Sequence, residues 1–157
     1  EELLKSFYND LKNAEEKGWN LITEKYARMM KNTDPMQYSR IEAELPVLSE
    51  ERKKLQEVII GIQVGWMEAF AEKFPSISGG ARSIHSYDDS AYNTSYETYL
   101  RGEISTYSDE TFMIYAGFIR KALNEGRNIS REVLKNTTVL YGYKSLEDAE
   151  AKQSGRR

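Results

Sequence analysis

The chain has 157 residues, of which 30% are charged and 39% hydrophobic, and its formal net charge at pH 7 is −3. A chain of this length can bury a core of its own, and the composition is typical of a globular domain. It contains no cysteine and one histidine, which excludes disulfides, thiol catalysis and zinc sites built from cysteine and histidine.

Apolar residues at helical spacing predict helices from the start of the chain. Residues 3–14 carry one apolar face, and Gly18 is placed to end that helix in a left-handed conformation. Asn20 is the candidate cap of the next helix, which we expect to end near residue 33. Pro35 then favours the start of a short helix.

The longest predicted helix, at about 50–73 with Ser49 as its candidate cap, is apolar almost all round, which indicates a central, buried position. Gly61 and Gly65 inside it predict close packing of another helix. Residues 75–92 are too long and too rich in glycine and serine for a routine connection. Four further helices are predicted at about 94–104, 108–124, 128–141 and 145–153.

Two segments of the chain are similar to each other at a constant spacing. Ala, Gly, Asn and Glu coincide at 14/122, 18/126, 20/128 and 24/132, so each pair lies 108 residues apart (126 − 18). The alternative is convergence, because any helix–Gly–cap–helix corner favours Gly-x-Asn. We predict a single all-α domain, a helical bundle or array of about six or seven helices, built from two related helical units. Residues 1–45 would be the back half of the first repeat and residues 50–153 the second.

A consequence of that duplication is an incomplete first unit. We expect that an N-terminal portion of the protein precedes residue 1, which leaves an apolar surface on the first helix. We expect that surface to be covered by a protein partner or by the preceding segment. The sequence does not predict an oligomeric state.

Several longer runs resemble an uncharacterised bacterial family, domain of unknown function 4125. They include residues 18–30 (GWNLITEKYARMM), 66–70 (WMEAF), 94–103 (TSYETYLRGE) and 140–143 (LYGY), and the resemblance covers nearly the whole chain. It implies an N-terminal stretch containing Gly-Gly-Arg-Ala-Ser-Cys-Gln-Asp-Asp that this sequence lacks. The run from Gly79 to Arg82, followed by Asp88 and Asp89, looks like its diverged counterpart. The resemblance implies no activity, and it raises the alternative of an accessory domain beside a nucleotidyltransferase-like partner.

The best candidate region for a ligand site is residues 79–107, which combine basic, acidic and tyrosine side chains. Two arginines could hold a carboxylate or phosphate, and tyrosine rings could stack on a planar ligand. The competing interpretation is a tyrosine-rich helix that packs on the central helix with its charges paired at the rim. The candidate ligand-binding residues are Arg82, His85, Asp88, Asp89, Tyr96, Glu97, Tyr99, Arg101 and Glu103.

We therefore expect a binding or scaffold module without catalytic chemistry; the alternative is a small-ligand-binding protein or enzyme with a pocket around 79–107. We predict no cofactor. The alternative is a divalent ion on Glu68 and Glu72 with Asp88 or Asp89. Basic residues form no stripe, which excludes a nucleic-acid partner, and no run of about 20 apolar residues predicts a membrane span. Without an apolar signal segment, we expect a cytoplasmic location.

Overall fold

The computed structural model describes residues 1–155, and this part of the chain is all-α, as predicted. Two short 3-10 turns, Glu42–Glu44 and Ser86–Asp88, lie between helices. None of the helices in residues 1–155 has the length and the hydropathy that a bilayer span requires. The helices in chain order are α1 (Glu2–Glu16), α2 (Leu21–Thr33), α3 (Pro35–Ile41), α4 (Glu50–Lys73), α5 (Pro75–Gly79), α6 (Tyr96–Ile104), α7 (Asp109–Asn124), α8 (Ile129–Leu140) and α9 (Leu146–Ser154).

Nine α-helices form in the described residues, more than the six or seven expected. The short helix α3 begins at Pro35, as predicted, whereas α5 is additional. Helix α5 forms within residues 75–92, where we expected only a long connection. Backbone bonds also tie that segment to α6, since the amides of Tyr96 and Glu97 donate to the carbonyls of Ser83 and Ile84 at 2.7 and 3.0 Å.

The main core forms where α4, α6 and α7 meet. Its fully buried members include Ile60 of α4, Ile104 of α6 and Phe112 of α7. A second, smaller cluster joins the end of α4 to α9 through Phe70, Phe74 and Leu146. The central position predicted for the longest helix is therefore correct, but the helix is not buried on all sides, since Leu55 and Val58 are 43% and 60% exposed.

The glycines of α4 do not pack as predicted. Gly61 and Gly65 are exposed, and an added Cβ at either would meet no neighbouring atom within 4 Å. The close helix approach lies instead at Gly102 of α6, where a Cβ would lie 3.0 Å from the carbonyl oxygen of Lys25 on α2. Spacing along one helix cannot show which face another helix meets.

The two similar segments form corners of the same geometry, which we call the first corner (α1, Gly18 and α2) and the second corner (α7, Gly126 and α8). Gly18 and Gly126 have φ of 68° and 69°, a left-handed conformation that favours glycine. Asn20 caps α2 by accepting from the Thr23 amide, and Asn128 caps α8 by accepting from the amide three residues on. Each cap bond is 2.9 Å long.

Helix α1 lies on α7, and the two run antiparallel. Ser6 and Thr111 are joined by a buried hydroxyl–hydroxyl bond of 2.6 Å, and the Asp10 carboxylate accepts from the Ser108 amide at 3.0 Å. The Phe7 ring meets Tyr107 edge-on, with centroids 5.4 Å apart. These contacts fix one side of α1 and leave its opposite side turned away from the core.

Candidate functional site

Helix α6 carries most of the predicted ligand residues, but it distributes them over different faces. Ser95 caps the helix by accepting from the Thr98 amide at 3.1 Å. Residues two positions apart on a helix point in nearly opposite directions, so Tyr99 and Arg101 face different neighbours. The structure therefore separates the region 79–107 into several small clusters.

Arg101 belongs to a cluster between α6 and α4. Its Nε and Nη2 donate to the two carboxylate oxygens of Glu57 at 2.8 and 2.9 Å, and Nη1 lies 3.5 Å from Glu97. The bidentate bond from Arg101 holds the pKa of Glu57 below its ordinary value. No local pattern in the sequence indicates Glu57, because it lies 44 residues before Arg101.

Beside this cluster lies a cavity of about 370 Å³, enclosed by α2, α3, α4 and α6. Its charged lining residues are Arg28, Lys31, Lys53 and Arg101 with Glu42 and Glu57. Three of the four cations have an ion-pair partner, namely Arg28 with Glu24, Lys53 with Glu50 and Arg101 with Glu57. Of the six lining residues only Arg101 was predicted, because the others lie on α2, on α4 and in the 3-10 turn after α3, all distant from α6 in sequence.

Arg82 and Tyr99 form a second cluster on another face of α6. The guanidinium carbon of Arg82 lies 4.7 Å from the Tyr99 ring centroid, and Arg82 also donates to the Thr94 carbonyl at 3.1 Å. Lys25 of α2 donates to the Tyr99 hydroxyl at 3.0 Å, which raises the lysine pKa. Arg82 and Arg101 thus do not converge, and the structure forms no joint anion site from this pair.

Asp89 joins the connection before α6 to both α6 and α2. Its carboxylate accepts from the Ser95 amide at 2.6 Å, from the Thr98 hydroxyl and from the Asn32 amide at 3.0 Å. Burial alone would raise the pKa of Asp89, but these hydrogen bonds together lower it. Asp88 is exposed, and its backbone carbonyl accepts from Asn93 at 2.8 Å. In this structure the Asp89 carboxylate therefore holds the connection before α6 against α6 and α2.

His85 lies apart from these groups. Its Nε2 is 3.2 Å from the Glu68 carboxylate, and its ring stacks on Tyr87 with centroids 4.8 Å apart. Within residues 1–155, no three histidine or acidic side chains come together as a set of metal ligands. The proposed grouping of Glu68, Glu72 and Asp88 or Asp89 is therefore not assembled.

The tyrosines in and near this region divide between core and surface, and Tyr87 and Tyr92 are exposed. Tyr96, Tyr107 and Tyr115 lie against the main core, and the Tyr115 hydroxyl donates to Gln63 of α4 at 2.8 Å. Burial raises the pKa of Tyr107 to about 12, with the Glu103 carboxylate adding to the effect. These contacts match the packing interpretation, and a ligand role for Tyr96 or Glu103 stays a prediction.

A different feature, the outward side of the first corner, exposes large apolar side chains from both of its helices. We call it the α1–α2 face and define it as Leu4, Tyr8, Leu11, Ile22 and Tyr26, all of which are exposed. Leu4 is 73% and Ile22 61% exposed. Leu11 and Ile22 also line one concave surface at the corner. Sequence analysis predicted an apolar surface on the first helix, and the structure shows one that extends onto α2.

Comparison with known proteins gives one match. The family described as "Protein of unknown function (DUF4125)" matches residues 1–151. The chain belongs to the DUF4125 family. No curated protein and no solved structure matches it.

Membership in the DUF4125 family supports the resemblance seen in the sequence but supplies no activity, substrate or partner. A functional conclusion for this DUF4125 chain therefore depends on its surfaces. Two surfaces bear on function, namely the exposed α1–α2 face and the cavity beside Arg101.

Proposed function

We propose that the chain is a helical protein-binding module, without catalytic chemistry of its own, and that it binds a protein partner through the α1–α2 face. The observation that carries this proposal is the exposed stripe of Leu4, Tyr8 and Leu11 on α1, continued by Ile22 and Tyr26 on α2. Large apolar patches on a protein surface mark interaction sites, and aromatic anchors within them often dominate the binding free energy.

Helix α1, which carries three of the five residues of the α1–α2 face, is also held in place by its contacts with α7, and this rigidity favours binding. The buried bond between Ser6 and Thr111 and the ring contact of Phe7 with Tyr107 fix α1 on α7. A preformed apolar surface loses little conformational entropy when a partner binds, so more of the burial free energy remains as affinity.

The test is site-specific photo-cross-linking from position 8, with position 92 as the matched control. Both are tyrosines, and Tyr8 and Tyr92 are 60% and 100% exposed. A photoreactive phenylalanine at position 8 should give an adduct with a defined protein that position 92 does not give. The captured protein, produced separately, should bind the wild-type chain at least about tenfold more tightly than it binds Leu4→Asp/Leu11→Asp.

The comparison of affinities requires that the Leu4→Asp/Leu11→Asp variant remains folded. Circular dichroism should show the variant folded, because Leu4 and Leu11 are exposed. Equal adducts at positions 8 and 92 would overturn the proposal. Unchanged affinity of the double variant for the captured protein would also overturn it.

A second candidate function is supported by the cavity beside Arg101, where Lys31 is the one lining cation without an ion pair in residues 1–155 and could bind a small organic anion. A ligand that binds only the folded state raises its thermal stability. A panel of carboxylates and phosphates should then raise the Tm of the wild type and leave the Tm of Lys31→Ala unchanged. If no compound raises the wild-type Tm, this candidate is refuted.

A further inference from the structure

The two corners of the fold are equivalent in detail, but only one of them is covered. In the first corner the Trp19 amide donates to the Ala14 carbonyl at 2.8 Å, and in the second the Arg127 amide donates to the Ala122 carbonyl at 2.9 Å. These bonds close the same helix ending at positions 108 residues apart (127 − 19). The second corner therefore serves as an internal reference for the first.

The residues of the α1–α2 face have buried counterparts in the second corner. Phe112, Ala116 and Ile119 of α7 are 0%, 7% and 1% exposed, and they stand at the positions of Leu4, Tyr8 and Leu11. They share the main core with Ile59, Ile60 and Val64 of α4 and with Leu100 and Ile104 of α6. On α8, the buried Ser130 stands at the position of the exposed Ile22.

The capping asparagines show the same difference in a polar group. The Oδ1 of Asn128 caps α8, and its Nδ2 donates to the carbonyl of Trp66 on α4 at 3.0 Å. The Oδ1 of Asn20 caps α2 in the same way, whereas its Nδ2 has no acceptor within residues 1–155. Asn20 thus offers a donor where the second corner uses one to hold a helix.

The acidic residues at the N-terminal ends of α7 and α1 show the same difference between the two corners. Asp109, at the start of α7, accepts from Arg52 of α4 at 2.7 Å. Its counterpart in the first corner is Glu1, which is exposed and pairs with Lys5 on its own helix. A basic residue on an incoming helix would meet a carboxylate there, as Arg52 does.

From these four differences, and resting on the proposed function, we infer that the partner presents an amphipathic α-helix that lies across the α1–α2 face as α4 lies across α7 and α8. This helix carries an apolar stripe spaced like Ile59, Ile60 and Val64 and a basic residue near Glu1. One of its backbone carbonyls accepts from Asn20. Because Tyr8 replaces Ala116, the helix has smaller residues opposite Tyr8 than α4 would place there.

The test uses the sequence of α4 itself as the probe. A fluorescein-labelled peptide of residues 50–73, acetylated and amidated, is titrated against the triple variant Leu4→Phe/Tyr8→Ala/Leu11→Ile. That variant gives the first corner the three side chains of the second. We expect saturable binding by fluorescence anisotropy, and binding weaker by about fivefold or more when Asn20→Asp is added. Asp keeps the cap and removes only the donor.

The controls distinguish a peptide bound to the first corner from one that enters the second. Leu4→Asp/Leu11→Asp should abolish peptide binding at the first corner. If the peptide instead displaced α4 from the second corner, its affinity would be unchanged by Leu4→Asp/Leu11→Asp and by Asn20→Asp. Such insensitivity, or no binding to a folded triple variant, would overturn the inference. A dimer of the wild-type chain in analytical ultracentrifugation that Leu4→Asp/Leu11→Asp dissociates would also overturn it. Should the peptide fail while the cross-linked partner still binds, the proposed function stands and only the helix geometry is wrong.

Discussion

The two capping asparagines allow a matched measurement of what α4 contributes to one corner. We expect Asn128→Asp to lower the free energy of unfolding, whereas Asn20→Asp leaves it nearly unchanged. Asp caps a helix about as well as Asn, and the added negative charge acts equally on both helix dipoles. The difference between the variants therefore isolates the bond from Asn128 Nδ2 to the Trp66 carbonyl, 3.0 Å long.

The size of this difference follows from that one contact. A hydrogen bond contributes about 0.5–1.5 kcal/mol net, and a carboxylate facing the same carbonyl adds repulsion. We expect Asn128→Asp to cost about 1–2 kcal/mol and Asn20→Asp less than about 0.5 kcal/mol. For a chain of this size, each kcal/mol corresponds to a Tm change of about 2–4 °C.

Urea denaturation followed by circular dichroism measures both variants against the wild type. Alanine at either position serves as the control, because it removes the side-chain cap at that position. Loss of the cap alone should cost about 1 kcal/mol in each variant. Equal losses for the two aspartate variants would refute the expected difference. They would mean that the bond to α4 contributes nothing and that the corners do not differ in energy.

Three further contrasts follow from the packing and the charges. Gly102→Ala should lower the Tm, because its Cβ would lie 3.0 Å from atoms of α2, whereas Gly61→Ala should raise it by helix propensity in open space; a raised Tm for both would contradict this. Phe112→Ala should cost about 3–5 kcal/mol in urea denaturation and Leu4→Ala under about 0.5 kcal/mol, and similar losses would contradict their different burial. The pKa of Asp89 is lower in the folded state than in the unfolded chain, where it is near 3.9. The ionised carboxylate therefore stabilises the fold fully above that unfolded pKa, and this contribution is lost as the pH falls through the lower pKa of the folded state. The stability gap between the wild type and Asp89→Asn should therefore be widest near neutral pH and narrow below about pH 4, and a gap independent of pH would disprove the role of this carboxylate.

Local signals account for much of the fold. The sequence predicts Asn20 and Ser49 as helix caps and Gly18 as a helix end, and each has that geometry, because capping depends on residues within one turn. The apolar stripe of α1 is also visible in the sequence, since its spacing follows the helical period.

The candidate ligand site is harder to predict. Tyr99 and Arg101 are neighbours in sequence, but they contact different helices. The cavity beside Arg101 instead gathers Arg28 and Lys31 of α2 with Lys53 of α4, and no local pattern connects these two helices with α6. Packing between helices that are distant in sequence decides which charges meet, and one sequence without a fold does not contain those distances.

The sequence by itself determined most of the helices and several of their caps, which helix faces are apolar, and that two corners share one pattern. Only the tertiary structure decided which apolar face is covered. Phe112 is buried because α4 lies across it, while Leu4 is exposed at the equivalent position. The physical reason is that an apolar stripe is a property of one helix, whereas burial requires a second surface to exclude water from it.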